Sequence, residues 1–409
     1  MSGSCAEPAG VGEVRSLVIG VNGWFWGQEA VGSGQYLHQL LVHLASLYPK
    51  DRYILFVPAG APAASLPLPA DNVEYAELRT PFGARGDLAK LWFEQVSVPA
   101  ACRRWKVDLL HVPYWAAPAW APVPVVTTIH DVIPLILPEY AGSPAARAYT
   151  WLVRRTARRS RLVLADSQTS ARDVVRRLGL PAGRVRAVYL GVPQGLAPAH
   201  DPSVLARVRE RCGLPERYML YLGGFDRRKN VPMLLQAYAR AVRQCPELPA
   251  LVVGGRLPEK ETPLFPDPRR AAVEAGVQER VRFIGWVREK DKPALYSMAC
   301  CFLFPSLYEG FGLPVLEAMA CGAPVVAARG SSLEEIVGPA GILLEPAEPD
   351  AWAEAMCRLC REPALAQELS ARAREQASGF SWEHTAQETR RAFADADRER
   401  VFGEEEMGA

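Results

Sequence analysis

Two glutamates eight residues apart have the types and spacing needed to bind a ligand. Residues 304–328 read FPSLYEGFGLPVLEAMACGAPVVAA, with Glu309 before a glycine-rich turn and Glu317 beyond it. The apolar residues before Glu309 predict a strand, and those around Glu317 predict a helix. Pro314 suits the first position of that helix and Gly322 suits the position after its end. The segment is therefore predicted to be a strand–loop–helix unit that carries two carboxylates.

The loop of this unit is suited to a phosphate group. Gly310 and Gly312 let the backbone approach a ligand closely, and a helix start presents N–H groups at the positive end of the helix dipole. Carboxylates repel phosphate, so we predict that one glutamate binds the hydroxyls of a donor sugar and the other those of a ribose. The alternative is an ordinary strand–loop–helix unit with a solvent-facing glutamate.

A basic turn follows another predicted strand. Residues 222–230 read LGGFDRRKN, and Arg228 and Lys229 stand where a helix is about to begin. Cations at this point can neutralise a diphosphate leaving group, on which negative charge grows as a sugar departs. A solvated basic loop is the alternative.

Polar residues also follow strands in the first half of the chain. Residues 127–135 read TTIHDVIPL, which predicts that His130 projects from a strand end and that Asp131 fixes either the loop or the imidazole. The serines of residues 166–170 (DSQTS) are predicted to cap a helix. Residues 32–35 (GSGQ) precede the first predicted helix and form either a phosphate-binding turn or a plain turn.

Together these segments resemble the family 4 retaining glycosyltransferases, which have the GT-B fold. The motifs are EGFGLP with EAMACGAPVVA, the basic pair before Asn230, and HDVIPL. The resemblance implies that Glu309 contacts the transferred sugar and that Glu317 binds the ribose of a nucleotide-sugar donor. The backbone that cradles phosphate and sugar would be that of Gly310, Phe311, Gly312 and Leu313.

The resemblance also assigns the remaining site residues. His130 would bind the donor sugar and support the transition state, and Lys229 would bind the donor phosphate. Many members carry an arginine where this chain has Gly224, so Arg228 is expected to compensate. Three further donor contacts are implied, at Gly34, at Gly224 and at the backbone of Val287, the last beside the nucleobase.

The reaction implied by the resemblance is transfer with retention of anomeric configuration. The first half of the chain offers no carboxylate with the spacing of a two-step glycosidase nucleophile, which favours front-face attack. Arg228, Lys229 and the helix start are expected to replace a metal, so neither a metal nor another cofactor is predicted. The HDVIPL form is similar to that of bacterial mannosyltransferases of polysaccharide assembly, which favours GDP-mannose as the donor.

Strand and helix patterns alternate twice along the chain, which predicts an α/β protein with parallel sheets. With the resemblance, this predicts a GT-B architecture of two Rossmann-like doubly wound domains facing across a cleft. An acceptor-binding domain is expected over residues 15–197 and a nucleotide-sugar-binding domain over 198–380. Residues 381–409 are expected to form a helix that crosses back to the first domain, after a disordered tail at 1–14.

Eleven strands are expected, and they fall in two groups. The first group is 17–22, 53–57, 108–112, 125–129 and 162–165, and the second is 218–222, 250–253, 281–284, 300–304, 324–328 and 341–344. Helices are expected at 36–46, 231–242 and 269–275, and residues 351–396 are expected to be helical throughout.

Composition narrows the class of protein. A length of 409 residues suggests two domains, and a net charge of +2 gives no field that would select nucleic acid. Nine scattered cysteines, without a disulfide framework, indicate a reducing cytoplasm. Cys357 and Cys360 form a CxxC that is predicted to be two thiols on a helix rather than a zinc site. Neither a signal peptide nor a membrane span is expected.

The acceptor is expected to be a saccharide or a lipid-linked saccharide. A basic helix is expected to carry the arginines of residues 154–161. This helix, and Arg79 and Arg85 beside Phe82, would suit peripheral contact with anionic lipid at the inner face of the plasma membrane. A solvated basic face is the alternative. The competing functions are a UDP-sugar-dependent transferase of the same family, another GT-B enzyme such as an epimerase or glycan phosphorylase, and a non-catalytic nucleotide-sugar-binding partner.

Overall fold

The computed structural model describes residues 15–28, 31–61, 66–115 and 117–408. The predicted tail at residues 1–14 lies outside this described part. Within it, the chain alternates between strands and helices in the order that the sequence predicts for an α/β protein.

Among the described residues, seven strands form the first sheet. They are β1 (Val18–Asn22), β2 (Arg52–Pro58), β3 (Val73–Leu78), β4 (Leu109–Val112), β5 (Val125–Ile129), β6 (Leu162–Ala165) and β7 (Val185–Ala187). Their order is β3-β2-β1-β4-β5-β6-β7, and pairs such as β1 with β2 are parallel. The strand order reverses between β1 and β4, which is the doubly wound pattern.

A second sheet contains six strands within the same described ranges. They are β8 (Tyr218–Leu222), β9 (Ala250–Gly254), β10 (Val281–Gly285), β11 (Cys301–Phe304), β12 (Val325–Ala328) and β13 (Ile342–Leu344). The order is β10-β9-β8-β11-β12-β13, with parallel pairing throughout. Strands β8, β11 and β12 are fully buried apolar runs, as expected of parallel strands covered on both faces. Here the strand order reverses between β8 and β11.

Helices connect and cover these strands. In chain order they are α1 (Gly32–Leu47), α2 (Asp87–Trp92), α3 (Val98–Arg104), α4 (Ile133–Ile136), α5 (Pro144–Ala157), α6 (Gln168–Leu178), α7 (Pro202–Cys212), α8 (Val231–Gln244), α9 (Pro268–Glu274), α10 (Lys292–Ser297), α11 (Leu313–Ala320), α12 (Leu333–Val337), α13 (Pro349–Arg361), α14 (Pro363–Ser378) and α15 (Trp382–Gly408). A π-helical turn, Phe93–Ser97, joins α2 to α3.

The eleven predicted strands are confirmed, each with ends within one residue of the prediction. Strands β3 and β7 were not predicted. The sequence of β3, VEYAEL, carries two charged residues, and β7 has only three residues. Both strands lie at an edge of the sheet, where a polar or short strand is tolerated.

Three helix predictions are wrong in detail. Residues 351–396 form not one helix but parts of α13, α14 and α15, because Pro363 cannot continue α13 and the chain turns again near Gly379. Helix α1 begins at Gly32, so residues 32–35 are its first turn rather than a loop before it. The basic helix predicted to include residues 154–161 ends at Ala157, with α5. The helices that were not predicted are α2, α3, α4, α7, α10 and α12.

By packing, the chain divides into two compact units. The first runs through Pro113, includes Pro118–Val126 and takes in the chain from Phe393 onward, and the second comprises Tyr114–Ala117 and Thr127–Ala392. Helix α15 therefore starts in the second unit and continues in the first. The domain limits placed near residues 197 and 380 stay a prediction. In the described part of the chain, every helix is too short or too polar to cross a lipid bilayer.

Candidate functional site

The topology of the second sheet indicates where a ligand should bind. In open parallel sheets, ligands bind at the carboxyl ends of the strands, where the strand order reverses. That point lies between β8 and β11. The loop after β8 carries Arg228 and Lys229, and the loop after β11 carries Glu309. The sequence motifs thus meet at the position that the fold favours.

Three donors converge on one oxygen of Glu309. Lys229 Nζ and Arg228 Nη1 each lie 2.7 Å from Glu309 Oε1, and the Ser306 hydroxyl donates to the same oxygen at 2.5 Å. Lys229 Nζ also lies 4.9 Å from the centre of the Phe304 ring. Lys229 and Glu309 are both buried, so the cluster is an ion pair within the protein rather than a solvated surface pair.

Burial and the charge of the opposite partner shift the pKa values of Glu309 and Lys229 in opposite directions. Burial raises the pKa of the Glu309 carboxyl, but the positive charges of Lys229 and Arg228 outweigh it and hold that pKa below its ordinary value. Burial, assisted by the charge of Arg228, lowers the pKa of the Lys229 ammonium, although Glu309 opposes this. Glu309 is therefore ionised, and its charge fixes two cations in place.

Arg228 is held by several elements. Its Nη1 donates to the Tyr308 carbonyl at 2.7 Å, and its Nε lies 3.4 Å from Asp226 Oδ1. The backbone N–H of Arg228 donates to the Tyr140 hydroxyl at 3.1 Å, and that hydroxyl donates to Asp226. These contacts fix the guanidinium in place, and a fixed cation is the kind of group that suits a phosphate; the role of Arg228 toward a donor stays a prediction.

His130 follows β5, as predicted, but its imidazole is held by a residue that follows β6. Nδ1 of His130 donates to Asp166 Oδ2 at 2.8 Å. Asp131 instead accepts from the Ile133 N–H at 2.9 Å and so fixes the loop. Strands β5 and β6 are neighbours in the sheet, which brings His130 and Asp166 together at the same edge. Of the two roles predicted for Asp131, the structure supports the loop.

Gly310 sits directly against the His130 loop. A Cβ atom on Gly310 would lie 2.0 Å from the His130 carbonyl oxygen, a distance that only glycine permits. The hydroxyls of Ser167 and Ser170 both donate to the Gly310 carbonyl at 2.8 Å. Ser167 also caps α6, since it accepts from the Ser170 N–H at 3.0 Å. The predicted cap is confirmed, and the same serines fasten the glycine loop.

The rest of the loop shapes the start of α11. Gly312 has a φ of 109°, a conformation that favours glycine, and Leu313 is the first helical residue, one position earlier than the prediction placed it. Phe311 packs its ring against Tyr189 and Phe380. The side chain of Phe311 therefore belongs to the core, and only its backbone faces the turn. Helix starts such as that of α11 leave N–H groups without intrahelical partners.

Glu317 lies in α11 and is bound by two side chains of α10. The Tyr296 hydroxyl donates to Oε2 at 2.9 Å and Lys292 Nζ donates to Oε1 at 3.2 Å. Burial raises the pKa of the Glu317 carboxyl, and Lys292 and Tyr296 oppose that shift without cancelling it. Glu317 is therefore a second buried carboxylate, with one cation where Glu309 has two.

Two predicted donor contacts lie at strand ends of the second sheet. Gly224 follows β8, is exposed, and has its carbonyl bound by the Tyr221 hydroxyl at 2.5 Å. Val287 follows β10 and is buried. Their roles toward a donor stay predictions.

Gly34 belongs to the first unit, in the first turn of α1. A Cβ atom there would lie 2.2 Å from the Gln28 carbonyl oxygen, whereas one at Gly32 would meet nothing within 4 Å. The glycine at position 34 is thus required by the packing of residues 23–28 against the helix. A donor contact at Gly34 stays a prediction.

Sequence reasoning missed several side chains of the site. Tyr140 gives no local signal, because it reaches Arg228 across 88 positions of sequence. Asp226 had a signal in its position two residues before Arg228. Lys292 and Tyr296 stand four apart, the spacing of one helix face, and this was overlooked because α10 was not predicted.

The arrangement combines two fixed cations, an ionised carboxylate, a helix start and an imidazole–carboxylate pair. Cations and a helix start suit a diphosphate, and carboxylates suit sugar and ribose hydroxyls. Within the described residues, no three His, Cys, Asp or Glu side chains are grouped so as to hold a metal ion.

Comparisons with known proteins agree with this chemistry. The family described as "Glycosyltransferase Family 4" matches residues 31–194, and the one described as "Glycosyl transferases group 1" matches residues 216–362. The O-antigen chain mannosyltransferase B of Escherichia coli is 32% identical over 269 residues, which cover 66% of this chain and 69% of that protein. A D-inositol 3-phosphate glycosyltransferase of Salinispora arenicola is 32% identical over 302 residues, covering 68% of this chain and 66% of that protein.

A solved structure shows the same fold over nearly the whole chain. Sucrose-phosphate synthase from Thermosynechococcus elongatus superimposes with a TM-score of 0.73 at 23% identity, covering 95% of this chain and all of that one. The two doubly wound sheets, the clustered motifs and these matches lead to one conclusion. The chain belongs to the family 4 glycosyltransferases and has the GT-B fold.

Proposed function

We propose that this protein is a retaining hexosyltransferase that moves mannose from GDP-mannose to a saccharide or lipid-linked acceptor in the cytoplasm, during cell-surface polysaccharide or glycolipid synthesis. The observation that carries the proposal is the convergence of Lys229 and Arg228 on Glu309 beside the start of α11. The cluster supplies what such a reaction needs: positive charge for a diphosphate and a carboxylate for sugar hydroxyls.

The proposed reaction is a front-face displacement. The acceptor hydroxyl approaches the anomeric carbon on the side of the leaving group. The bond from that carbon to the donor phosphate oxygen breaks as the bond to the acceptor oxygen forms, and the departing phosphate takes the acceptor's proton. Lys229 and Arg228 stabilise the charge that grows on the diphosphate. Glu309 and His130 hold the sugar, and Glu317 holds the ribose.

Mannose is favoured by the similarity to an O-antigen mannosyltransferase of Escherichia coli. A similar protein at the same identity is a D-inositol 3-phosphate glycosyltransferase, so a donor with another sugar or base is the alternative. A non-catalytic partner that only binds a nucleotide sugar is a further alternative, and the intact cluster around Glu309 argues against it.

A donor screen tests this proposal. The protein is incubated with GDP-mannose, UDP-glucose and UDP-N-acetylglucosamine in turn, and release of nucleoside diphosphate is followed together with thermal stabilisation. We expect GDP-mannose to give the greatest stabilisation and the fastest release. Faster release from a UDP-sugar would show that GDP-mannose is not the preferred donor. Thermal stabilisation without release of nucleoside diphosphate or transfer of sugar, in the presence of membrane-extracted acceptors, would favour the non-catalytic alternative.

Two further measurements test the mechanism. The anomeric configuration of the product, determined by NMR, is expected to equal that of the donor sugar. Because Lys229 and Arg228 supply positive charge at the diphosphate, the rate is expected to be unchanged by EDTA. An inverted product or a loss of activity restored by added divalent metal would contradict the corresponding part of the proposal.

We also propose peripheral contact with an anionic membrane, through an apolar surface on the first unit. Four large side chains there are exposed: Phe82 (49%), Leu88 (64%), Trp92 (39%) and Val96 (43%). The last three stand four residues apart along the helical segment from α2 through the π turn, and the Phe82 and Trp92 rings lie 5.9 Å apart. Arg79 and Arg85 are exposed and lie close to Phe82 in the sequence, and basic residues near an apolar surface add attraction to anionic lipid.

The arginines at 154–161 are a weaker lipid-binding surface. Helix α5 ends at Ala157, and Arg158 Nε donates to the Leu178 carbonyl at 2.9 Å, so Arg158 is engaged in packing. Trp151 is nevertheless exposed and provides a matched control for the surface on the first unit.

Co-sedimentation with vesicles separates the two surfaces. We expect binding to vesicles of phosphatidylglycerol and phosphatidylethanolamine, weakened by salt and by the double change Leu88→Ser with Trp92→Ser. Trp151→Ser should bind as the wild type does. The opposite ranking of the two variants, or equal binding to neutral phosphatidylcholine vesicles, would contradict the proposed surface.

A further inference from the structure

The two oxygens of the Glu317 carboxylate accept hydrogen bonds from side chains of one helix, and each oxygen has a different donor. Tyr296 donates to Oε2 at 2.9 Å and Lys292 donates to Oε1 at 3.2 Å. These donors stand four residues apart in α10 and therefore lie on one face of that helix. The Tyr296 side chain is fully buried and its ring packs edge-on against Phe302 of β11, so the hydroxyl has a fixed position.

A carboxylate bound in this way can still accept further hydrogen bonds. Each of its oxygens offers about two acceptor positions, and α10 occupies one on each oxygen. One position per oxygen is left, on two atoms of a single rigid plane. Two vicinal hydroxyl groups match that pattern, since a carboxylate takes paired donors through both of its oxygens.

Lys292 is also bound from its other side. Its Nζ lies 2.8 Å from Glu289, an exposed carboxylate at the turn that leads into α10. The ammonium therefore bridges an exposed and a buried carboxylate, and its position does not depend on a ligand. This differs from Lys229, which pairs with Glu309 in the cluster proposed to face the diphosphate.

We propose that Lys292 and Tyr296 are positioning residues that set the plane of the Glu317 carboxylate so that its two oxygens accept the 2′- and 3′-hydroxyls of the donor ribose. This inference rests on the proposed function in that it takes the ligand to be a ribonucleotide. Lys292 acts through Glu317 and touches no reacting atom. Its contribution is selectivity for ribose over 2′-deoxyribose.

The charges of Lys292 and Glu317 agree with this role. Burial raises the pKa of Glu317, and the charge of Lys292 is the largest opposing influence, followed by the Tyr296 hydrogen bond. The groups that face Glu317 are Glu289, Lys292 and Tyr296, with Cys321 at the end of α11. Without Lys292 the carboxyl takes up a proton at higher pH, and a protonated carboxyl accepts fewer hydroxyl hydrogen bonds.

Calorimetric binding of nucleotides tests the inference without requiring transfer. GDP and UDP are titrated against 2′-deoxy-GDP and 2′-deoxy-UDP, with the wild type and with Lys292→Met, Lys292→Arg and Tyr296→Phe. We expect the wild type to prefer the ribose form of the bound nucleotide by about tenfold, the effect of one hydrogen bond to a charged group. Lys292→Met should reduce that preference to about threefold or less, and Lys292→Arg should restore most of it.

The matched control is Lys290→Met, which removes an exposed lysine of the same turn. It should leave the ribose preference at the wild-type value. The acid side of the pH profile for GDP or UDP binding should move to higher pH in Lys292→Met and stay in place in Lys290→Met. If Lys292→Met fails to fold, Tyr296→Phe and Lys292→Arg carry the test through the same ratio.

The outcomes separate this inference from the proposed function. Nucleotide binding with a ribose preference that Lys292→Met and Tyr296→Phe leave intact overturns the inference alone. Equal binding of ribose and deoxyribose forms by the wild type also overturns it. If no nucleotide binds, both the inference and the proposed function are overturned. If the protein shows a ribose preference that depends on Lys292 but no transfer activity, the inference is supported and the proposed function is contradicted.

Discussion

Glu309 and Glu317 lie eight residues apart in one loop–helix unit, yet their surroundings differ. Glu309 sits in the loop with Lys229 and Arg228 each 2.7 Å from the same oxygen. Glu317 sits in the helix with Lys292 at 3.2 Å and a tyrosine hydroxyl on its other oxygen. Burial raises the pKa of both carboxyls, but the net shift is downward for Glu309 and upward for Glu317.

Because both carboxylates are buried, the opposite directions of their pKa shifts follow from the charges beside them: two cations at Glu309, and Lys292 with the acidic Glu289 at Glu317. Two cations outweigh the cost of burying Glu309, whereas one cation and a hydroxyl do not fully offset it for Glu317. Glu309 is therefore a fixed charge within a cluster of charges, and Glu317 is a hydrogen-bonding group whose ionisation is more easily lost. The expected effects of substitution differ accordingly.

The largest effect is expected from Glu309→Gln. Glutamine keeps one acceptor oxygen but loses the charge that strengthens its hydrogen bonds to sugar hydroxyls, and transfer should fall by about 10³-fold, as for loss of a preorganised polar group in an active site. The affinity for GDP or UDP should fall much less than the transfer rate, because Arg228 keeps its contacts with the Tyr308 carbonyl and with Asp226 and so stays in place for the diphosphate. Steady-state kinetics and calorimetry measure the two quantities.

Glu354→Gln, at an exposed position of α13, is the matched control and should leave both the transfer rate and the nucleotide affinity unchanged. Wild-type turnover in Glu309→Gln would remove the basis for assigning the loop carboxylate to the sugar.

The next largest effect is expected from Glu317→Gln, and it should appear in nucleotide binding rather than in turnover. Losing the ribose carboxylate should weaken nucleotide binding by about hundredfold, equivalent to about 2.7 kcal/mol, while kcat at saturating donor changes by only a few-fold. Donor KM and kcat, determined separately, check this split. A fall in kcat with unchanged KM would show that the two carboxylates do not differ in the manner argued above.

Gly310→Ala tests the loop that carries Glu309. A Cβ atom at position 310 would lie 2.0 Å from the His130 carbonyl oxygen, so the substitution should cost about 1–3 kcal/mol of unfolding free energy through overpacking. Gly224→Ala is the control, because its Cβ would lie 3.4 Å from the nearest atom, on Asp226, and the change should stay within about 0.5 kcal/mol. Denaturant unfolding of both variants gives the comparison, and equal stabilities would contradict the close packing.

The smallest effect is a shift in pH dependence that reports on the cations beside Glu309. Burial favours the neutral form of Lys229, so its proton is lost at a lower pH than that of an ordinary lysine. Donor capture should therefore decline with rising pH below the usual lysine pKa of about 10.4, and Lys229→Arg should move that decline to higher pH. Profiles of kcat/KM against pH in both proteins measure the shift; coincident profiles would show that another group causes the decline.

Much of the fold followed from local pattern. The buried strands were predicted to within a residue, because runs of valine, leucine and isoleucine between turn residues are a local signal. The exceptions were β3 and β7 at the sheet edges, where packing on one side permits charged or very short strands. The helix break at Pro363 is a local signal as well, because proline cannot continue a helix.

The sequence by itself determined the paired glutamates, the basic pair and the glycine loop, since each rests on residue type and short spacing. The tertiary structure decided which of these groups meet. Asp166 holds the His130 imidazole because β5 and β6 are neighbours, and Lys292 reaches Glu317 because α10 packs beside α11. Those pairs are separated by 36 and 25 positions, and contacts at such separations depend on strand order and helix packing, which no local pattern encodes.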